Sequence, residues 1–277
     1  MMGYIHEVLL GQVAGMTLFT YAVAGIFLVL EQCFPSARYP SQLQAPKMRR
    51  KRWGKNAGCF LIFIVPFMPL FEAIPTLVFT YLAPFRVSPY ADNVFYMVFG
   101  VLALDFSVYV SHRLSHQIPA MWSYHRVHHM DEFLDTTSAF RFHVLETAQT
   151  ILFRVGVIVL LGLNTNTVLI YLYLNAVVLI YQHTNIKTPD RLEYWISKFF
   201  VTPSIHWVHH NATLPETNTN YCILFSFWDV MLGTRSSTHR NDKTVIGLDV
   251  HPDQSLWRLV AFPMILHKKT STSEQKH

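Results

Sequence analysis

Charge is what this 277-residue chain has least of: 14% of its residues are Asp, Glu, Lys or Arg, against roughly a quarter in ordinary soluble domains. With so little polar material to coat a water-facing globule, the sequence excludes both a disordered chain and a typical soluble domain. Cysteine is also scarce. Cys33, Cys59 and Cys222 are scattered and never form a CxxC pair, which excludes a disulfide framework, a thiolate metal site, an iron–sulfur cluster and a CxxCH haem attachment. A nucleotide-binding glycine fingerprint is missing, as is any repeat of fixed period. The net charge of +5 is modest, and it reads as a membrane-topology signal rather than a nucleic-acid footprint. What remains is apolar: 51% hydrophobic and 14% aromatic residues, with a mean hydropathy of +0.25. Against that background stand fifteen histidines.

The apolar residues fall into long runs. The first, from about Gly11 to Phe34, has no Lys or Arg ahead of it and no small-residue cleavage site behind it; it reads as an uncleaved span rather than a signal peptide. A polar segment follows with Arg38, Lys47, Arg49, Arg50, Lys51, Arg52 and Lys55. Its basic run MRRKRWGK is expected to act as a topology anchor. Next comes Ala57–Tyr81, read as one kinked span containing Pro66, Glu72 and Pro75, then a third span from Asn93 to about Val110. A shorter pair, Ala148–Leu163 and Thr167–Gln182, is divided by Asn164-Thr165-Asn166, and forms either two thin crossings or a membrane hairpin. The positive-inside rule puts the basic segment in the cytoplasm, and span counting returns residues 111 to 210 to that same side. The expected fold is an all-α integral membrane bundle of about four or five spans or hairpin segments, with a cytosolic histidine-rich cap. Residues 1–110 would hold the N-terminal spans, 111–234 the histidine domain with its hairpin at 148–182, and 235–277 a cytosolic tail.

Ten of the fifteen histidines lie between His112 and His210. His112 and His116 are four apart in HRLSH; His125, His128 and His129 form HRVHH, and His206, His209 and His210 repeat it as HWVHH. On a helix, offsets of three and four put side chains on one face a turn apart, the geometry for two rings to grip one metal. His143 and His183 stand alone. A lone histidine is more often an interface residue than a ligand, but packed imidazoles repel when protonated, and a metal makes the neutral form useful. Eight to ten histidines overfill one site, so two metals are expected. Ligation by imidazole alone suits zinc, copper, iron or nickel rather than magnesium or calcium.

Taken in order, HRLSH, HRVHH, RFHVLE, QHTN, TPSIHWVHH, NTNY and WDVMLGT resemble the motif series of the fatty acid hydroxylase/sterol desaturase superfamily, from about Leu102 to Thr234. The resemblance implies a histidine-bound di-iron centre that uses O2 to attack a lipid C–H bond, giving hydroxylation or desaturation of a fatty acyl, sterol or related lipid. It implies His112, His116, His125, His128, His129, His206, His209 and His210 as ligands, with His183 beside them and His143 as a ligand or a neighbour of one. Val144 stands where one branch of the family has proline. Zinc would be a substitute ion in an isolated sample.

Asp105, Tyr109, His112 and His116 form one stripe on a helix. Asp105 is expected either to orient a ligating histidine through its outer N–H or to pair with Arg113 or Arg141. Glu146 and Glu193 are candidates of the same kind, whereas Asp229 is expected to anchor its own segment. The chain carries no redox cofactor motif, so electrons would come from an external donor, a small haem cytochrome or a ferredoxin with its reductase. No nucleic-acid partner is expected, and a bacterial inner membrane or an endoplasmic reticulum fits equally. Two alternatives are a zinc-dependent membrane hydrolase, which leaves many of the histidines unused, and a metal transporter, which would need more ionisable residues within its spans.

Overall fold

The computed structural model describes residues 2–63, 65, 87–241, 244–248 and 253–266. Much of the expected second span, with Pro66, Glu72 and Pro75, lies outside the described residues, as does the tail after Leu266. No strand occurs among the described residues; the ladder contacts are three isolated bridges.

Among the described residues, four helices are long and apolar enough to cross a bilayer: residues Ala14–Cys33 of α1 (Met2–Cys33), then Val94–Gln117, Val144–Leu161 and Thr165–His183. The basic segment folds into α2 (Pro46–Phe63). Helix α3 (Val94–Gln117) begins where the Asn93 side chain accepts hydrogen bonds from Phe95 N and Tyr96 N, satisfying donors that a helix start leaves open. It stops at Gln117, with Ile118 alone between it and Pro119, which opens α4 (Pro119–His129), since proline suits the first turn of a helix and not its interior.

The pair expected as two thin crossings or a hairpin forms two full helices, α5 (Val144–Leu161) and α6 (Thr165–His183). Gly162 closes α5 in the left-handed region at φ 60°, where a Cβ is costly. Asn164 then caps α6 through Thr167 N and ties the turn to Ala91 O at 2.9 Å. Gly100 lets α3 approach this turn, for a Cβ there would stand 2.7 Å from Thr167 Cγ2. The main core lies where α3, α5 and α6 meet, around Leu104, Val108, Ile158 and Tyr171.

Short helices follow: α7 (Asp190–Ile196), α8 (Pro203–His209), α9 (Leu214–Thr217) and α10 (Phe227–Met231). The last, α11 (Leu256–Leu266), packs on α4 and α2. Residues 235–277 are therefore not simply a tail, because their described part closes over the histidine-bearing end. Gly247 N donates to His210 O and Ala212 N to Val245 O.

The basic run also does more than anchor topology. Arg52 is buried and donates to Asp131 Oδ1 and Asp135 Oδ2, both at 2.5 Å, and to Asp131 Oδ2 at 2.7 Å. Arg141, fully buried, reaches Asp253 Oδ1 at 2.6 Å and Val127 O at 2.8 Å. Burial raises the Asp131 carboxyl, but the Arg52 and Arg141 guanidiniums outweigh it and hold the group below its usual range. At the same end of the bundle, Glu31 of α1 accepts from Thr136 N at 2.9 Å and Asn185 N at 3.3 Å. The basic segment and the ends of α1, α3, α5 and α6 thus meet on one face.

Candidate metal centre

Nine histidines converge on that face in two groups. His112 and His116 come from the last turns of α3, His125 and His129 from α4, and His209 from α8; their ligand atoms all lie within 4.8 Å of one another. The second group is His128 of α4, His183 of α6, and His206 and His210 at the end of α8, within the same limit. Each HxxHH box feeds both groups. Its i, i+4 pair serves one and its remaining histidine the other: His125 and His129 against His128, His206 and His210 against His209. Adjacent helical residues point about 100° apart, so His128 and His129 diverge into neighbouring clusters. The groups touch where the His129 and His210 rings stack, their centroids 4.3 Å apart.

The inward atoms are the Nε2 nitrogens. His112 to His125 and His125 to His129 are each 3.1 Å, His128 to His183 is 3.1 Å, His183 to His206 is 3.0 Å and His206 to His210 is 3.1 Å. His209 Nε2 is buried with no hydrogen-bond partner among the described residues. An unpaired buried polar atom is expensive, and a metal ion is the partner this donor set fits.

The outward nitrogens explain why the rings point that way. His112 Nδ1 donates to Tyr221 O at 2.7 Å, His209 Nδ1 to Thr219 O at 2.6 Å, His128 Nδ1 to Arg141 O at 3.0 Å and His183 Nδ1 to Leu179 O at 2.6 Å. His125 Nδ1 meets Glu146 Oε1 at 2.7 Å. Each bond to a carbonyl puts the hydrogen on Nδ1 and frees the Nε2 lone pair. The NTNY segment supplies two of these carbonyls. Asn220, at φ 54°, turns the chain there, and Asp229 pins it by accepting from Tyr221 N at 2.8 Å and Cys222 N at 3.0 Å.

Burial pushes His125, His128, His129, His206, His209 and His210 well below the usual imidazole range, and crowding by other imidazoles adds to it. They are neutral at physiological pH, the form that binds metal. A cavity of about 240 Å³ opens beside them between α3, α5 and α6. It touches His112, His125, His128, His183 and His206, and its walls include Val108, Phe142, Ile151, Leu179 and Ile223.

The fatty acid hydroxylase family profile matches residues 97–234, the stretch that contains every histidine of both groups. The chain belongs to this family. Among its relatives are the ornithine lipid hydroxylase of Rhizobium tropici, 31% identical over 154 residues (56% of this chain and 46% of the relative). Human alkylglycerol monooxygenase is 30% identical over 152 residues (54% and 32%), and human cholesterol 25-hydroxylase 26% identical over 144 residues (50% and 50%). The chain spans about a third to a half of the length of these relatives. No solved structure matches it.

Within this member of the family, the remaining candidates fall in distinct places. His143 joins neither group. Val144, replacing the proline of one family branch, begins α5, and the His143 side chain caps that helix by accepting from Leu145 N at 3.2 Å; burial pushes its imidazole down to about 4. Asp105 meets neither a histidine nor the two arginines expected of it. Its Oδ2 accepts from Trp228 Nε1 at 2.9 Å and Phe225 N at 3.2 Å, so it ties α3 to the WDVMLGT segment. Glu146 sits against His125, and Glu193 accepts from the hydroxyls of Thr202 and Ser204 instead. The orienting carbonyls of Tyr221, Thr219, Arg141 and Leu179 carried no sequence signal, because every residue has one.

Proposed function

We propose that the protein is a membrane-bound di-iron oxygenase that hydroxylates a C–H bond of a lipid, consuming O2 with two electrons and two protons to give an alcohol and water. One observation carries this reading: nine histidines, eight of them buried, aim into two touching groups beside a cavity bounded by apolar helices. The relatives' names, hydroxylases and a monooxygenase, favour hydroxylation over desaturation. Iron is favoured over zinc by ligand number, since the first group offers five imidazoles and tetrahedral zinc takes four.

When bound, the two metals supply O2 activation and hydrogen abstraction, chemistry no side chain can perform. The chain's own residues hold and shield. The backbone carbonyls and Glu146 keep the ligand rings aimed, and burial keeps them neutral. The cavity walls position the alkyl chain and keep water from it. Electrons come from an external donor, a small haem cytochrome or a ferredoxin with its reductase. The Arg52–Asp131 pairing supports one shared face for the basic run and the histidines, and the positive-inside rule makes that face cytosolic.

The test is anaerobic iron loading, metal analysis, and lipid mass spectrometry of cells with and without the chain. A mass gain of one oxygen supports hydroxylation, and loss of two hydrogens points to desaturation. Zinc at full occupancy with oxygen-independent turnover overturns the reading in favour of a hydrolase.

A further inference from the structure

The cavity beside the histidines carries a feature that neither metal binding nor the apolar lining uses. Its wall includes Arg154 on α5 and Asn175 on α6, both inside segments apolar enough to cross the bilayer. Helices α5 and α6 run antiparallel, and both meet the metal centre at one end. Arg154 lies eight residues beyond Glu146, and Asn175 eight residues before His183. At ~1.5 Å per residue the two polar groups stand at the same depth, about 12 Å from the histidines. Thr147, Thr150 and Arg154 follow at offsets of three and four along one face of α5 and all line the cavity.

An arginine at that depth is costly, and such residues in spans mark binding sites by default. The surroundings meet only part of its need. The guanidinium lies over the Tyr171 ring, 5.4 Å from its centroid, and Tyr171 Oη donates to Asn175 Oδ1 at 3.3 Å. Arg154 Nε is buried without a hydrogen-bond partner among the described residues. Arg154 Nε thus offers a free donor among the described residues, and at this depth an uncharged oxygen suits it better than an anion, whose transfer into the span costs far more desolvation.

We propose that Arg154 and Asn175 form a specificity site for a neutral oxygen of the lipid substrate, an ester or amide carbonyl or a hydroxyl. That oxygen would sit about 12 Å from the carbon presented to the metals. The inference deepens the oxygenase reading by naming the substrate class, and it rests on that reading only for its purpose, because the binding itself consumes no oxygen.

The experiment measures binding of four tritiated probes of equal chain length to the iron-loaded full chain under argon: methyl oleate, oleyl alcohol, oleate and 1-octadecene. The ester and the alcohol bind about ten-fold more tightly than the hydrocarbon, the worth of one good hydrogen bond. Arg154→Leu and Asn175→Leu each bring them towards the octadecene level, with octadecene binding unchanged. If Arg154→Leu does not fold, Asn175→Leu and the wild-type series decide. Equal binding of all four probes, a preference that survives both substitutions, or tighter binding of oleate than of its methyl ester overturns the proposal. A retained preference in a protein that never oxidises lipid sinks the oxygenase reading alone, and oxidation without the preference sinks this inference alone.

Discussion

The two histidine groups are built from the same kinds of segment but supported differently. The first has five rings, and three of its outer nitrogens are committed: His112 to Tyr221 O, His209 to Thr219 O and His125 to the Glu146 carboxylate. The second has four rings, of which His128 and His183 have a committed outer nitrogen; two rings in each group, His116 and His129 in the first and His206 and His210 in the second, have a buried Nδ1 with no partner among the described residues. A carboxylate makes a ligating histidine more basic, and a fixed outer bond holds its ring. With one ring more and the Glu146 contact, the first group is expected to hold its ion the more tightly, and the second to lose its ion first. Because each HxxHH box contributes to both, the two cannot move independently by much.

The sharpest way to break this comparison is to remove a ligand from each side. His128→Ala leaves the second group three rings and should abolish turnover while releasing one of two ions. His209→Ala leaves the first group four and should abolish turnover with less metal lost. Equal losses by elemental analysis would erase the difference between the groups. Arg52→Leu is the control for what they share, since it removes the guanidinium that pairs with both Asp131 and Asp135 beneath α4 and leaves Asp131 only the more distant Arg141, at 3.9 Å, as an ion-pair partner among the described residues. It should cost ~3–5 kcal/mol of stability and lower both occupancies together, read by thermal unfolding and metal content. Loss from one group only would separate α4 from one of them.

Smaller perturbations refine the picture. Glu146→Gln should weaken metal at the first group by ~10–100-fold and leave the second unchanged, as measured by chelator competition. Acidification acts on both groups. Burial holds these histidines below their unfolded value of 6.5, so between the two values the unfolded chain binds more protons. Stability is then fully present above about pH 6.5 and falls as pH drops below it. A metal-free unfolding midpoint that is flat from pH 7.5 to 5 would contradict buried, neutral rings. Asp105→Asn should have the smallest effect, ~1 kcal/mol through a weakened bond to Trp228, with metal content unchanged. A loss of metal there would restore a direct link from Asp105 to the site.

How much of this was legible in the sequence depends on how local the signal was. HRLSH, HRVHH and HWVHH could be read because helical offsets of three and four are a property of one turn. Their division between two groups could not, since it depends on where α3, α6 and α8 stand around α4. Arg52 resembled its basic neighbours Arg49, Arg50 and Lys51 in sequence, and only packing against Asp131 and Asp135 sets it apart. His143 had the look of a ligand, yet its place at the first residue before α5 made it a cap. Arg154 did carry a signal, a cation within an otherwise apolar run, but its partner Asn175 emerges only when two antiparallel helices are aligned.

The amino-acid order alone determined that the chain is helical and membrane-embedded, that its histidines come in metal-gripping pairs, and which family's motifs it carries. These follow from composition and from periodicities within a few residues. Tertiary structure alone decided which nitrogen faces inward, which ring belongs to which group, and which charged residue is buried. Each of those depends on backbone carbonyls and side chains brought together from segments tens of residues apart, a convergence that no local pattern encodes.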